Sequence, residues 1–134
     1  MAGLEVLGAL ASAVQLVDAC VKVTAFISDL NDAPEKIRTR IPQIQRLIEI
    51  ATLIKHNSSL QTPLIGSVLA KCLDDANSLL DILKKLDIEV TSGKFVKYWK
   101  ALVSATKEKQ ILGICQRLEE GKSSLALCIG SINS

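Results

Sequence analysis

Between Glu5 and Asp18 the twelve residues 6–17 carry no charge, and apolar side chains recur around most of the circumference of any helix drawn through them. Leu4, Leu7, Ala11, Val14, Val17 and Val21 fall on one row, with Val6, Leu10, Ala13, Leu16, Cys20, Val23 and Ile27 on the adjacent one. Polar residues keep to a narrow stripe of Glu5, Ser12, Gln15, Asp18, Lys22 and Asp29. The spacing predicts a helix over about residues 3–30. A helix apolar on most sides is central to a bundle or meets lipid. A constitutive span needs about 20 apolar residues, so the uncharged run is too short for a standing anchor. Two readings remain open, a central core helix and a conditionally exposed membrane segment. Gly8, Ala9, Ala11, Ser12 and Ala13 permit close helix approach in either setting.

The rest of the chain is also periodic at helical spacing, and no strand-like alternation is sustained. Asp32-Ala33-Pro34-Glu35 reads as a helix start, with Asp32 capping the first free amides, Glu35 reaching back and Pro34 harmless in a first turn. Ile37, Ile41, Ile44, Ile48 and Ala51 form the stripe that follows. Pro42 removes a hydrogen bond and crowds the preceding turn, so a kink or restart is expected there. Asn57-Ser58-Ser59 is a turn. Thr62-Pro63 caps the next helix, with Ile65, Leu69, Cys72, Ala76, Leu79, Leu80, Leu83 and Leu86 inward and an end near Asp87. Thr91-Ser92-Gly93 breaks the chain before a short amphipathic helix over residues 94–103. The last helix is expected over residues 106–129, weakened at Gly121 by ~1 kcal/mol relative to Ala. The expected fold is all-α, a single domain over residues 1–134: an up-and-down bundle of four main helices with a short extra helix before the last.

Composition narrows the function. The chain is 134 residues with 49% hydrophobic but only 3% aromatic residues, so its core is aliphatic. Sixteen basic against fourteen acidic side chains give a net charge of +2, too little for a domain built to neutralise phosphates, and nucleic acid is not an expected partner. Cys20, Cys72, Cys115 and Cys128 form no CxxC, and no cleavable leader stands out, so they are read as buried thiols in a reducing cytosol.

Catalytic, cofactor and metal chemistry lack their usual parts. One histidine, His56, cannot furnish a zinc site and is expected at a helix C-terminus. No phosphate-cradling GxxxxGK[ST] or GxGxxG occurs. Asp74 and Asp75 are about 100° apart on a helix and do not converge. Cys115 and Cys128 have no nearby base. Neither an enzyme nor a cofactor is expected. Lys97, Tyr98, Trp99 and Lys100 read either as a connecting helix locked onto the bundle by its aromatics or as an interfacial patch for anionic lipid. Lys36, Arg38, Arg40 and Arg46 read as an ordinary exposed face.

The ordered motifs resemble a known family. The start Leu4-Glu5-Val6-Leu7-Gly8-Ala9-Leu10-Ala11-Ser12-Ala13-Val14-Gln15-Leu16-Val17-Asp18, then Ala33-Pro34-Glu35-Lys36-Ile37-Arg38 and Ile41-Pro42-Gln43-Ile44, is similar to the N-terminal helical domains of fungal STAND (NOD-like receptor) proteins. Cys72 with Leu79-Leu80-Asp81-Ile82-Leu83 resembles the third helix of that group. Trp99-Lys100-Ala101-Leu102, Lys107-Glu108-Lys109-Gln110-Ile111 and Leu118-Glu119-Glu120 resemble its carboxy-terminal signature. The resemblance covers essentially the whole chain and points to the SesA and HeLo-like group.

It implies a membrane-targeting effector of programmed cell death, incompatibility or innate immunity, working with a NACHT or other STAND NTPase receptor in cis or trans. Activation would proceed by homo-oligomerisation and release of the first helix onto anionic membrane lipid. The domain would be cytoplasmic and relocate to the plasma membrane. Leu4, Val6, Leu7, Leu10, Val14, Leu16 and Val17 would then insert, with Glu5 lining the assembly. The alternative is a non-enzymatic helical adaptor that recruits a separate cell-death executioner.

Overall fold

The computed structural model describes residues 2–30, 32–89, 99 and 103–133. Its helices are α1 (Ala2–Ser28), α2 (Glu35–Arg38), α3 (Arg40–Lys55), α4 (Pro63–Glu89) and α5 (Ala105–Asn133), with a 3-10 turn at Ser58–Leu60. No strand occurs among the described residues, and the fold is an all-α bundle. The expected helix over residues 94–103 lies outside the described residues, apart from Trp99 and Val103.

Local signals in the sequence act largely as their chemistry requires. The Thr62 hydroxyl accepts the Ile65 N–H at 3.2 Å and starts α4, where an uncapped N-terminus would leave its first amides unbonded. The chain restarts at Thr39, placing Pro42 in the first turn of α3, where its missing N–H costs no intrahelical bond. All eight α4 positions expected to face inward are buried. In α3 the core row is Ile44, Leu47, Ala51 and Ile54, with Ile41 and Ile48 packed at its margin. This is one ridge away from the expected stripe. α5 runs past the expected end at residue 129 to Asn133.

Direction alternates along the chain, but spatial order does not follow chain order. α1 packs against α3 and α4, and α5 closes the square by packing against both of them. α3 and α4, although consecutive, sit on a diagonal, so the expectation of antiparallel sequence neighbours fails for this pair. The connection between them crosses one end of the bundle. Leu60, 1% exposed, anchors that crossing, and the Gln61 side-chain amide donates to the Ile54 carbonyl at 3.1 Å, satisfying an orphan C-terminal acceptor of α3. Among its four main helices α1 is therefore a corner, not the centre that its all-round apolarity suggested.

Two further expectations change. Pro34, not Asp32, occupies the N-cap position of α2, with no side-chain cap. Gly121 is a contact site: a methyl group there would meet Cys72 Sγ at 2.3 Å. The glycine lets α5 close onto α4 at the Cys72 thiol, which its low helix propensity alone does not reveal.

Candidate functional site

α1 presents two apolar faces. Ala9, Ala13, Leu16, Cys20, Val23 and Ile27 are buried against the bundle. On the outer side Val14 is 42% and Val21 50% exposed, with Leu10 and Val17 half-buried at the margin of this row. The only charges between residues 8 and 28 are Asp18 and Lys22, one turn apart and paired at 3.0 Å. Gly8–Ser28 is thus long and apolar enough to cross a membrane by length and composition, with 33% of its apolar window buried. Counting only the uncharged run 6–17 understated that length, because two charges that neutralise one another need not end an apolar segment.

Of the residues singled out on α1, Leu16 is core, Leu10 and Val17 are marginal, and Val14 faces solvent. The side chains of Leu4, Glu5, Val6 and Leu7 lie outside the described residues. Val21 extends the outward row beyond Asp18, the charge that ends the uncharged run. The start of α1 is set by close backbone approach. A methyl group on Gly66 of α4 would lie 3.3 Å from Ala9 Cβ and 3.4 Å from Ala9 Cα. Beside this contact, Gly8 opens onto a shallow groove shared with Pro63, Leu64 and Ser67.

At the opposite end of the bundle Trp99 is 4% exposed. Its backbone N–H donates to Asp32 Oδ1, and its indole N–H donates to Glu108 Oε1 at 3.2 Å. The other Glu108 oxygen pairs with Lys36 Nζ at 3.0 Å. Trp99 is thus tied to the α1–α2 turn through its backbone N–H and to α5 through its indole. Lys97, Tyr98 and Lys100 lie outside the described residues. Lys36 belongs to this cluster, so the basic group of residues 36–46 is not merely a solvated face.

The remaining reactive residues do not converge. His56 is the exposed C-cap of α3, with its backbone N–H on the Thr52 and Ile54 carbonyls. Asp75 pairs with Arg117 Nε at 3.0 Å, while Asp74 faces water. Burial pushes the Cys20 thiol up to about 12, helped by neighbouring Cys72. Cys72 rises to about 11 through burial and then the Asp75 charge, opposed by Lys71. Cys115 rises to about 11 through burial, opposed by Arg40. Such thiols stay protonated at neutral pH and are poor nucleophiles. No cluster of three or more metal-ligating side chains occurs among the described residues.

No curated protein and no solved structure matches the chain. A family model does, over residues 7–125: SesA, the N-terminal domain on NACHT_NTPase and P-loop NTPases. That span takes in the described part of α1 from Leu7 onward, the α3–α4 crossing and α5 through Leu125, so the chain belongs to the SesA family of domains that precede NACHT and other P-loop NTPases.

Proposed function

We propose that this domain is a membrane-targeting cell-death effector of a NOD-like receptor system, held closed until copies are gathered by their NTPase receptor. The supporting observation is α1: a helix of membrane-crossing length and apolarity that keeps only 33% of its apolar window buried and places Val14 and Val21 in solvent. With the half-buried Leu10 and Val17 these valines form an apolar outer row that the bundle leaves uncovered.

The closed state follows from the inner row. Pulling α1 away exposes Leu16, Val23 and Ile27, at about 1.5–3 kcal/mol each, a large part of the ~5–15 kcal/mol that stabilises a domain of this size. Release in water is therefore rare. Lipid offers the same side chains an apolar medium, and the Asp18–Lys22 pair lowers the cost of carrying two charges into it. Clustering several copies makes each membrane contact effectively intramolecular, so oligomerisation by the receptor shifts the balance toward insertion.

The adaptor reading draws on another surface. The open groove between α4 and α5, lined by Asp81, Lys85, Lys109 and Arg117 among others, could seat a helix from a separate executioner without disturbing α1. The test fuses the chain to a coiled coil and measures dye release from vesicles containing phosphatidylserine, beside killing on expression in yeast. Leakage and killing that both disappear when residues 1–17 are deleted from a still-folded domain support the effector. Killing without leakage, unaffected by the deletion, overturns it in favour of the adaptor.

A further inference from the structure

Helix direction places the start of α1, the α3–α4 crossing and the end of α5 at one end of the bundle. The Gly66–Ala9 approach and the Gly121–Cys72 contact fix that register. Among the described residues, six large hydrophobic side chains are exposed, and four of them belong to this end: Leu53, Leu64 at 65%, Leu127 at 76% and Ile132. Two of these three segments carry no acid. Residues 50–73 and 121–133 contain no Asp or Glu, while they hold Lys55, Lys71 and Lys122. Lys55 and Lys71 are exposed, and Lys122 pairs with Glu119. Glu5 is the acid of the third segment, the start of α1, and its side chain lies outside the described residues.

Leucines in solvent beside unopposed lysines fit an anionic apolar boundary better than they fit a protein copy of themselves. Two copies meeting through this end would set Lys55 and Lys71 of one against those of the other, with Glu5 the one acid those segments contribute, whereas anionic headgroups supply the missing charge and the acyl boundary accepts the leucines. We infer that the folded domain docks on anionic lipid through this end, Leu64 and Leu127 entering the interface and Lys55 and Lys71 meeting headgroups, so that α1 faces the bilayer by its amino terminus before it is released. The inference rests on the membrane reading above and adds to it a docking step that precedes insertion. It also assigns the contact to the end opposite Trp99.

The unfused chain is floated with phosphatidylcholine vesicles with and without roughly a third phosphatidylserine. Leu64→Ser combined with Leu127→Ser, both in solvent and therefore compatible with folding, is compared with a Trp99-end variant, Lys107→Glu combined with Lys109→Glu. The expected result is binding only to the phosphatidylserine vesicles, weakened by salt, at least tenfold weaker in the serine pair and in Lys55→Glu, and unchanged in the Trp99-end variant. Equal binding by the serine pair, loss confined to the Trp99-end variant, or no vesicle binding at all overturns the inference. So does a dimer of the unaltered chain in sedimentation that the serine pair disperses, because this end would then be a contact between copies. Dye release by clustered chains separates the two proposals. Vesicle binding through this end without leakage on clustering leaves docking standing and the effector reading fallen, and undiminished leakage by the serine pair does the reverse.

Discussion

The Asp32 carboxylate accepts the backbone N–H of Trp99 at 2.5 Å, across 67 positions of sequence. It does so from a left-handed backbone, φ 56°, a conformation that Asp tolerates better than most residues but that still carries a cost. Asp32 thus joins the turn after α1 to the segment before α5, and the tertiary hydrogen bond holds the turn in a shape it would not choose alone.

Replacing this residue separates the two effects. Asp32→Asn keeps an acceptor and the tolerance for positive φ, and its unfolding free energy should stay within about 1 kcal/mol of the parent. Asp32→Ala loses the acceptor and forces a Cβ residue into the left-handed region, for a loss of about 2–3 kcal/mol. Asp32→Gly should fall between them. Urea denaturation of the three variants gives the order, and Asp32→Ala as stable as Asp32→Asn would mean that the hydrogen bond contributes nothing.

Gly121→Ala would ordinarily strengthen an exposed helix by up to ~1 kcal/mol. Here the new methyl lands on Cys72 Sγ, and overpacking of this kind costs about 1–3 kcal/mol, so a net destabilisation is expected. Cys72→Ala removes the obstructing sulfur. In the Cys72→Ala background the same glycine change should become neutral or stabilising, a coupling that a double-mutant cycle reads directly. Additive effects would show that the two helices part without strain.

Ionisation of the core thiols should limit stability in alkali. Cys20, Cys72 and Cys115 titrate at about 12, 11 and 11 in the folded chain, against 9.0 when unperturbed. Because the folded values are raised, the folded state holds its protons longer than the unfolded chain does. The stabilisation is complete below pH 9 and is lost as pH rises toward 11–12, each thiol contributing a slope of up to about 1.4 kcal/mol per pH unit. Urea midpoints at pH 8 and pH 10 should differ accordingly, and the difference should shrink in Cys20→Ala. A flat profile from pH 8 to 10 would contradict the burial assigned to these sulfurs.

Elements that depend on local chemistry were legible in the chain, and those that depend on which helices meet were not. The Thr62 cap, the restart before Pro42 and the inward row from Ile65 to Leu86 follow from spacing and side-chain chemistry within a turn or two. The diagonal placement of α3 and α4 depends on how a short crossing runs over the end of the bundle, and nothing in residues 57–61 encodes that. Asp32 carried a sound capping signal, yet a more distant amide took its carboxylate. Gly121 looked like a weakness until its neighbour was known. Within the candidate site the apolar rows of α1 were visible at once, but periodicity alone could not say which row faces inward. Burial of Leu16 and exposure of Val14 settle that, because each helix can turn only one side to two neighbours.

Gly66 offers a way to loosen α1 without touching α1. A side chain at this position grows against Ala9, whose Cα and backbone N lie 3.4 and 3.5 Å from the first added atom, and backbone yields less readily than a side-chain tip. Gly66→Leu should therefore push the start of α1 off α4, raising hydrogen exchange over residues 8–13 while the slow exchange of the α4–α5 core persists. Gly113→Leu, at a helical position with nothing within 4 Å, is the control and should leave exchange unchanged. If release of α1 is the step that opens the bilayer, Gly66→Leu chains should release dye at a lower degree of clustering than the parent, and Gly113→Leu chains should match the parent. Faster exchange over residues 8–13 with an unaltered leakage threshold would separate mobility of this helix from membrane permeation, and insertion would have to be assigned to another part of the molecule.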